Sequence, residues 1–311
     1  MNGAELLVSA LENERVQQIF GVPGEESLDF VEALRRSTIK LVVTRHEQGA
    51  AFMAATHGRL TGRAGVCLST LGPGALNLAT GAAYALLGAM PMIMITGQKG
   101  ILSRKQARFQ VVDIVSTMTP LTKMAHQIVS PATIPSIVRE AFRVAQQERP
   151  GPVHLELPED IAGEAAPTIP LVPSHPIDRP VAPCSALDRA AQLILKAERP
   201  LIMLGAAASR LYLAEALSSF VKRVQIPFFN TQMGKGSVAG GSGLYNGHRR
   251  ADGARLRALG DRPRRSDHRD RPRHRREAAL HHGAERPRRP TRRLSPGERG
   301  GGVFPTCGAR G

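Results

Sequence analysis

Three polar residues whose side chains could take part in catalysis or binding stand together between an apolar strand and a helix. Arg45, His46 and Glu47 interrupt the otherwise apolar stretch LVVTRHEQGAAFMAATHGRL, residues 41–60. An acid in the first helical turn is stabilised by free backbone N–H groups and by the helix dipole, so Glu47 has a purely structural interpretation. The small residues that follow it favour a chemical one. They let another body approach and desolvate the carboxylate, whose partner would then be Arg45 or a ligand.

Two turns that contain glycine and proline accompany this triplet. GVPG occupies residues 21–24 and GPG occupies residues 72–74, and each follows a short apolar run. Glycine allows a neighbouring backbone or a ligand to approach closely, because it has no side chain. Ligands of open parallel sheets bind beyond the carboxyl ends of the strands, where all three features are expected to lie. The sequence therefore predicts one binding site at this edge.

The first 165 residues alternate between strand and helix patterns. The apolar strands are VQQIF, IKLVV, GVCLST, PMIMITG and VHLELP. Helices are expected over residues 25–36, 46–60, 77–87 and 133–147, and Leu28, Val31 and Leu34 should face inward from the first of these. Continuously apolar strands separated by helices are typical of a parallel sheet covered on both faces. The pattern predicts an α/β fold.

A proline-rich segment divides the chain. GEAAPTIPLVPSHPIDRPVAPCSA, which begins at Gly163, has no periodicity and predicts an interdomain linker. A second α/β unit follows, with helices over residues 186–196 and 211–221 and the strands LIMLG and IPFFN. We expect a first domain at residues 1–165, a linker at 166–184, a partial second domain at 185–247 and a tail at 248–311.

Composition narrows the class of protein. The net charge of +16 is concentrated at one end, because residues 248–311 hold 19 arginines and 7 acids, a net charge of +12. The three cysteines are scattered, so neither disulfides nor a zinc site is expected, and the histidines are too far apart in sequence to suggest a metal site. No apolar run reaches the roughly 20 residues of a membrane span, and no secretory signal is recognisable. We expect a cytoplasmic protein.

Six segments of the chain resemble, in order, motifs of the thiamine-diphosphate-dependent acetolactate synthases. They are GVPG (21–24), RHEQGAAFMA (45–54), GVCLSTLGPGALN (65–77), PMIMITGQ (91–98), RFQ (108–110) and RPGPVHLELPEDI (149–161). The combination of RHEQGAA with GPGALN is specific. Over residues 1–247 the chain resembles the large, catalytic subunit of that family. The resemblance implies a parallel-sheet pyrimidine-binding domain, then an incomplete Rossmann-like central domain and a disordered basic tail.

The resemblance also implies a role for the acid. In that family a buried glutamate hydrogen-bonds the aminopyrimidine ring of thiamine diphosphate and promotes loss of the proton from its thiazolium carbon. Such a carboxylate works only where water is excluded and the local dielectric is low. We carry the catalytic role onto Glu47. The cofactor-binding residues carried over by match are Val22, Pro23, Gly24, Glu47, Gly72, Pro73, Gly74 and Asn77, although Asn77 also has a structural interpretation as a polar group at a helix N-terminus.

Two further residues match the substrate pocket of the family. They are Phe109 and Gln110, whose alternative interpretation is a hydrophobic anchor and a surface amide on a loop. The implied reaction decarboxylates pyruvate and joins the two-carbon unit to a second 2-oxo acid, giving 2-acetolactate from two pyruvates. Another carboligation or decarboxylation of a 2-oxo acid is compatible, whereas glyoxylate carboligase is disfavoured because it lacks the glutamate.

The sequence departs from the family pattern at two places. Related biosynthetic enzymes carry a lysine where this chain has Glu159, which reverses a charge that would attract substrate or flavin. The central domain has LGAAAS instead of a glycine triplet, so bound FAD is possible but disfavoured. A catabolic type of pyruvate-to-acetolactate activity fits these departures.

Residues 248–311 depart from the family altogether. The family binds the diphosphate through magnesium in a third domain, and we expect this chain to lack that domain and its metal ligands. Taken literally, the arginine-rich tail is a polycation that could hold nucleic acid by counterion release. Codons for HRREAALHHG (274–283) can also be chosen so that a shifted frame reads Thr-Val-Glu-Lys-Pro-Pro-Phe-Ile-Met, which resembles the family's central domain. We therefore hypothesise a frame-shifted tail.

Two classes of function follow. In the first, the chain is a fragment of a synthase, inactive alone, that forms a homo-oligomer or pairs with a full-length subunit. In the second, it is a non-catalytic binding protein that holds a polyanion through the tail or pairs with a full-length synthase.

Overall fold

The computed structural model describes residues 1–102, 109–238 and 243–248. In this part of the chain a six-stranded parallel sheet has the order β2-β1-β3-β4-β6-β5. Its strands are β1 (Gln18–Gly21), β2 (Lys40–Val43), β3 (Gly65–Ser69), β4 (Met92–Gln98), β5 (Met124–Gln127) and β6 (Pro152–Pro158). The predicted parallel α/β fold is confirmed.

Helices cover both faces of this sheet. They are α1 (Gly3–Asn13), α2 (Leu28–Arg35), α3 (Glu47–Thr61), α4 (Gly72–Leu76), α5 (Ala79–Gly88), α6 (Ile114–Met118), α7 (Ile134–Gln146) and α8 (Glu159–Gly163). One core lies under α1, α2, α7 and α8 and contains Ile93, Ile95, Val153 and Leu155 of the central strands. The other lies under α3, α5 and α6 and contains Cys67, Met92 and Met94. Strands β3, β4 and β6 are buried along their whole length, which explains why they lack polar alternation.

Local signals explain where the long helices begin and which face they bury. Asn2 and Glu5 form a reciprocal capping box at the start of α1. Helix α7 buries Ile134, Val138 and Phe142, which recur on one face at the helical period, against the sheet. Because parallel strands all end at the same edge, the turns after β1, β3 and β4 lie together there.

A smaller parallel sheet has the order β7-β8-β9. It consists of β7 (Ile202–Leu204), β8 (Phe228–Asn230) and β9 (Tyr245–His248), with helices α9 (Cys184–Lys196) and α10 (Ala214–Val224). Its core contains Leu204, Val221, Phe228 and Val238. Both sheets belong to one compact unit of the chain, and the division into domains at 1–165 and 185–247 stays a prediction.

Three details of the predicted elements were wrong. Leu28 does not face inward: it is 64% exposed, and the core face of α2 is formed by Phe30, Ala33 and Leu34. A 3-10 turn at Glu25–Ser27 precedes α2 and changes the phase, because that turn has three residues per turn rather than 3.6. The helix expected at 77–87 is α5, which begins two residues later, and the separate short helix α4 before it was not predicted; Pro73 stands in the first turn of α4, where proline is tolerated.

The third detail is a missing edge. Strand β5 and helix α6 were not predicted. β5 borders the sheet beside β6, and its residues Met124–Gln127 are only partly buried. An edge strand needs no continuous apolar run, so the sequence carries little signal for it.

Two remaining expectations concern membrane-spanning segments and the arginine-rich tail. No helix among the described residues is long and apolar enough to cross a membrane. The predicted disordered or frame-shifted tail at 248–311 lies outside the described residues, apart from His248 at the end of β9.

Candidate functional site

Glu47 lies at the first position of α3, beside the carboxyl end of β3. Its side chain is 13% exposed, and its Oε1 atom faces Gly74 of α4. Among the described residues, no lysine or arginine nitrogen lies within 4.0 Å of its carboxylate. Arg45, the cationic partner considered from the sequence, is exposed. The carboxylate is therefore mostly removed from water without a guanidinium to neutralise it.

Glu47 stands in the first turn of α3, as its structural interpretation requires, but it is not the residue that caps the helix. His46 is the N-cap residue of α3, and its Nδ1 atom accepts a hydrogen bond of 3.1 Å from the backbone N–H of Gln48. Nδ1 therefore carries the lone pair, so the imidazole is not an ion-pair partner through this atom, although it lies 4.0 Å from Glu47 Oε2. Since the helix is capped by His46, the Glu47 side chain is available for another task.

Asn77 fixes the direction of this carboxylate. Its Nδ2 atom donates a hydrogen bond of 3.0 Å to Glu47 Oε2. Asn77 is the C-cap residue of α4 and directly precedes Leu78, the N-cap residue of α5, so it lies between two helices with its amide turned to Glu47. It is a neutral donor, which orients the carboxylate without neutralising it.

Glycines bring the other loops against Glu47. A Cβ atom on Gly74 would lie 3.3 Å from Glu47 Oε1 and 2.9 Å from Thr70 Cγ2, and a Cβ atom on Gly24 would lie 2.7 Å from Thr70 Cβ. Thr70 thus separates the GVPG and GPG turns by the width of one side chain. Any residue larger than glycine at position 24 or 74 would displace it.

The second turn also contacts the predicted substrate residues. Gly72 has a φ of +51°, and a Cβ atom there would lie 2.2 Å from the carbonyl oxygen of Gln110. Gln110 itself has a φ of +55°, in the left-handed region that a residue with a side chain rarely adopts. Phe109 is 70% exposed. The structure therefore brings the Phe109–Gln110 turn to the GPG loop by backbone contact.

The remaining predicted residues line the same edge. The backbone N–H of Val22 donates to the carbonyl of Leu68 at 3.3 Å, which ties the GVPG turn to β3. Pro23 and Pro73 are exposed, and the carbonyl of Pro73 accepts from the Asn77 N–H at 3.1 Å. The sequence-predicted site residues thus lie in turns and first helical turns that follow the strands at the carboxyl edge of the sheet.

A charged cluster that sequence reasoning missed joins these loops. Thr70 Oγ1 donates to Glu26 Oε2 at 2.5 Å, and Lys99 Nζ lies 2.9 Å from Glu26 Oε1. Burial alone would raise the pKa of Glu26, but the hydrogen bonds from Thr70 and Lys99 outweigh it and lower that pKa. The hydrogen bond with Glu26 raises the pKa of Lys99. The signal in the sequence was the charge of Lys99 immediately after an apolar strand.

This cluster gives Glu159 a partner. Lys99 Nζ lies 3.5 Å from Glu159 Oε2, and the N–H of Gly100 donates to Glu159 Oε1 at 3.4 Å. The charge reversal at Glu159 is thus matched by a cation supplied from the end of β4.

Two alanines of the LGAAAS segment line a cleft, whose other walls come from helices and loops around both sheets. Ala206–Ser209 form a 3-10 turn after β7, and Ala206 and Ala207 line a cleft of 240 Å³. At this cleft Arg210 pairs with Glu148 at 2.6 Å, and the Arg179 guanidinium stacks 3.4 Å from the centre of the Tyr212 ring.

The described residues contain no group of three or more histidine, cysteine or acidic side chains that could hold a metal ion.

Two domain families match the sequence. Residues 1–117 match the N-terminal TPP binding domain of thiamine pyrophosphate enzymes, and residues 187–256 match the central domain of the same enzymes. The first match contains Glu47 and both glycine turns, and the second contains the smaller sheet.

Individual relatives point in the same direction. The chain is 41% identical over 246 residues to a probable acetolactate synthase large subunit of Methanocaldococcus jannaschii, covering 76% of this chain and 41% of that protein. It is 35% identical over 250 residues to the acetolactate synthase isozyme 2 large subunit of Escherichia coli, covering 79% and 45%. It is 36% identical over 253 residues to a catabolic acetolactate synthase of Raoultella terrigena, also covering 79% and 45%.

The chain spans about two fifths of the length of the curated relatives it matches. Within that span the parallel sheet, the loops at its carboxyl edge and the matched domains agree. The chain belongs to the thiamine pyrophosphate enzymes, and within them it is similar to the large subunits of acetolactate synthases.

Proposed function

We propose that this chain supplies the pyrimidine-binding half of an active site that joins 2-oxo acids in the manner of an acetolactate synthase. The observation that carries the proposal is Glu47, a mostly buried carboxylate that is oriented by the neutral donor Asn77 and has no guanidinium or ammonium partner among the described residues. A carboxylate that is shielded from water and not neutralised by a cation can accept a charge-assisted hydrogen bond from a ligand. Such a group suits the ring nitrogen of an aminopyrimidine.

Each loop has a part in holding thiamine diphosphate. Glu47 would accept a hydrogen bond from the aminopyrimidine ring, and Asn77 would keep the carboxylate pointed at it. Gly24, Gly72 and Gly74 would keep the turns close together around the ring, because a side chain at these positions would collide with Thr70 or with the Gln110 carbonyl. Val22, Pro23 and Pro73 would add apolar walls. When bound, thiamine diphosphate supplies an electron sink that lets a 2-oxo acid lose carbon dioxide.

The substrates belong to the same proposal. Phe109 presents an exposed ring and Gln110 an exposed amide on a turn that rests against Gly72. An aromatic face and an amide donor suit the methyl and carbonyl ends of pyruvate, and we propose pyruvate as donor and acceptor, with 2-acetolactate as product. The names of the similar relatives support this choice.

Magnesium and a diphosphate-binding domain complete the proposed site from another chain. This part of the proposal rests on the resemblance to the family, in which a third domain binds the diphosphate through magnesium. The partner is a second chain, either another copy or a full-length subunit. FAD is not part of the proposal, because Ala206 and Ala207 place side chains where a glycine triplet would leave backbone open to a ligand.

A binding measurement tests the cofactor half. Titration of the full chain with thiamine diphosphate, followed by calorimetry, should give saturable binding that Glu47→Gln weakens at least tenfold, since a hydrogen bond to a charged group is lost. The matched control is Glu140→Gln, an exposed carboxylate on α7, which should bind as the unchanged chain does. Equal affinity of the unchanged chain and Glu47→Gln would contradict the role of Glu47.

A pairing experiment tests the catalytic half. The chain alone, with pyruvate, thiamine diphosphate and magnesium, should form no acetolactate above background, and robust turnover would show that the half-site proposal is wrong. A full-length acetolactate synthase subunit in which the counterpart of Glu47 is replaced by glutamine should regain activity when mixed with this chain. Mixing with the Glu47→Gln chain should restore nothing. Absence of recovery in a mixture that co-purifies would reject a catalytic contribution.

A further inference from the structure

Glu156 is a buried carboxylate in the middle of the sheet that the proposed chemistry does not use. It is 2% exposed and lies on β6, between Thr96 of β4 and Gln127 of β5 in the strand register. No ion pair to it exists among the described residues, and two neutral amides are its hydrogen-bond donors. Burial raises its pKa, with the amides of Gln127 and Gln98 opposing the shift in part. An unpaired buried acid is costly, and such departures concentrate at functional sites.

The two amides come from different strands, Gln127 from β5 and Gln98 from β4. Gln127 Nε2 donates to Glu156 Oε1 at 2.7 Å from the edge strand β5. Gln98 Nε2 donates to Glu156 Oε2 at 3.1 Å and also to the backbone carbonyl of Val112 at 3.1 Å. The Gln98 Oε1 atom accepts from the N–H of Lys99 at 3.0 Å. Only the Gln98 amide therefore connects Glu156 to the chain that follows the Phe109–Gln110 turn.

The orientation of the Gln98 amide depends on Glu156. Its NH2 group faces two acceptors and its oxygen faces one donor, so rotating the amide by 180° would put oxygen against oxygen on both sides. The carbonyl of Val112 accepts one of the two hydrogen bonds that the Gln98 NH2 group donates. Glu156 adds the second, charge-assisted bond, which is the stronger kind.

The turn that this amide anchors is a strained one. Gln110 has a φ of +55°, which costs free energy for a residue with a side chain and persists only where the surroundings enforce it. On one side the Gln110 carbonyl rests against Gly72, and on the other side the Val112 carbonyl is held by Gln98. These are the anchors of the Phe109–Val112 segment.

We propose that Glu156 is a positioning residue: through the Gln98 amide, its buried carboxylate fixes the carbonyl of Val112 and with it the turn that presents Phe109 and Gln110. The segment is thereby held rigid at the carboxyl edge of the sheet. The importance of this for substrate rests on the proposed function, whereas the mechanical link from Glu156 to the turn does not.

Substitution with NMR relaxation measurements tests the link in the full chain. Glu156→Leu removes the acceptor for both amides, so the Gln98 amide that holds the Val112 carbonyl loses its orientation, and the backbone order parameters of residues 109–112 should fall from a rigid value of about 0.85 towards the flexible range below about 0.6. Gln127→Leu is the matched control, because it removes the other amide of the same carboxylate and should leave these order parameters unchanged. Unchanged order parameters in a folded Glu156→Leu variant, or an equal fall in Gln127→Leu, would overturn the proposal.

A titration of the unchanged chain keeps the proposal testable if Glu156→Leu fails to fold. The side-chain amide signals of Gln98 and the backbone amide signals of Gln110 and Val112 should titrate together, with a midpoint above the ordinary 4.5 of a glutamate. Among the described residues Asp113 is the titratable group whose charge acts on Glu156, and the hydrogen bonds from Ser116 lower the pKa of Asp113. His154 lies two positions before Glu156 on β6, and burial lowers its pKa to about 4. If the Gln98 side-chain signals titrate while the backbone signals of Gln110 and Val112 do not, the proposed link between Glu156 and the turn is overturned.

Pyruvate added with thiamine diphosphate separates this inference from the proposed function. If the turn responds to Glu156, the positioning role stands whatever pyruvate does. Shifts of the Phe109 and Gln110 signals on adding pyruvate would support the substrate role of the turn, and the lack of such shifts would count against that role alone.

Discussion

The side-chain amide of Asn77 and the carboxylate of Glu47 join the end of one helix to the start of another. The hydrogen bond is 3.0 Å long and connects residues that are 30 positions apart in the sequence. Asn77 brings no charge, so the bond sets the direction of the carboxylate while leaving its negative charge intact. Among the residues that the structure describes, Glu47 has no lysine or arginine partner, as its proposed role toward the cofactor requires.

Asn77→Ala should weaken thiamine diphosphate binding about tenfold, because the bond that orients Glu47 is charge-assisted. Calorimetric titration of the two chains measures the effect. Asn13→Ala is the control: the amide of Asn13 donates to the carbonyl of Val172 at 2.8 Å, on the opposite face of the fold, and its removal should leave affinity unchanged. If Asn77→Ala binds as tightly as the unchanged chain, the orientation of Glu47 does not depend on Asn77.

Gly74→Ala should lower the free energy of unfolding by about 1 to 3 kcal/mol, because the added Cβ atom would lie 2.9 Å from Thr70 Cγ2 and 3.3 Å from Glu47 Oε1. Gly49→Ala in α3 is the matched control. A Cβ atom there meets nothing within 4 Å, and alanine should stabilise the helix by about 0.5 to 1 kcal/mol. Urea unfolding of both variants provides the comparison. Equal effects of the two substitutions would mean that the loops around Thr70 are loosely packed.

Glu26→Gln should change how stability depends on pH. The folded-state pKa of Glu26 is lowered from 4.5, because the hydrogen bonds from Thr70 and Lys99 outweigh its burial. A lowered folded pKa means that the stabilisation is fully present above the unfolded pKa and is lost as the pH falls through the folded pKa. The difference in unfolding free energy between the unchanged chain and Glu26→Gln should therefore be largest above pH 4.5 and shrink below it. Urea unfolding across that range tests this, and a difference that grows as the pH falls would have the wrong sign.

Arg139→Met should cost about 3 to 5 kcal/mol of unfolding free energy, since it leaves the Glu14 carboxylate buried and unpaired. Arg139 Nη1 lies 2.7 Å from both oxygens of Glu14, whose side chain is 3% exposed. The control is Arg143→Met on the same helix, where the partner Glu140 is 46% exposed and the loss should be below about 1 kcal/mol. Chemical denaturation distinguishes the two, and similar losses would show that the Glu14 site is open to water.

The sheet was predictable because its signal is local. Buried strands such as Met92–Gln98 and Pro152–Pro158 must be continuously apolar, and the helices between them must repeat every 3.6 residues. The edge strand β5 carries neither constraint and was missed. The position of Leu28 was wrong because a single 3-10 turn rotates everything that follows it.

The sequence by itself predicted the residues of the candidate site and the edge of the sheet at which they lie, since all strands of a parallel sheet end on one side. Only the tertiary structure decided how they act on one another. That His46 caps α3, that Asn77 holds Glu47, that Lys99 faces Glu159 and that Gln98 joins Glu156 to Val112 are contacts between distant segments. Hydrogen bonds and ion pairs form only when atoms are placed to within a few tenths of an ångström, and no periodicity along the chain encodes such placement.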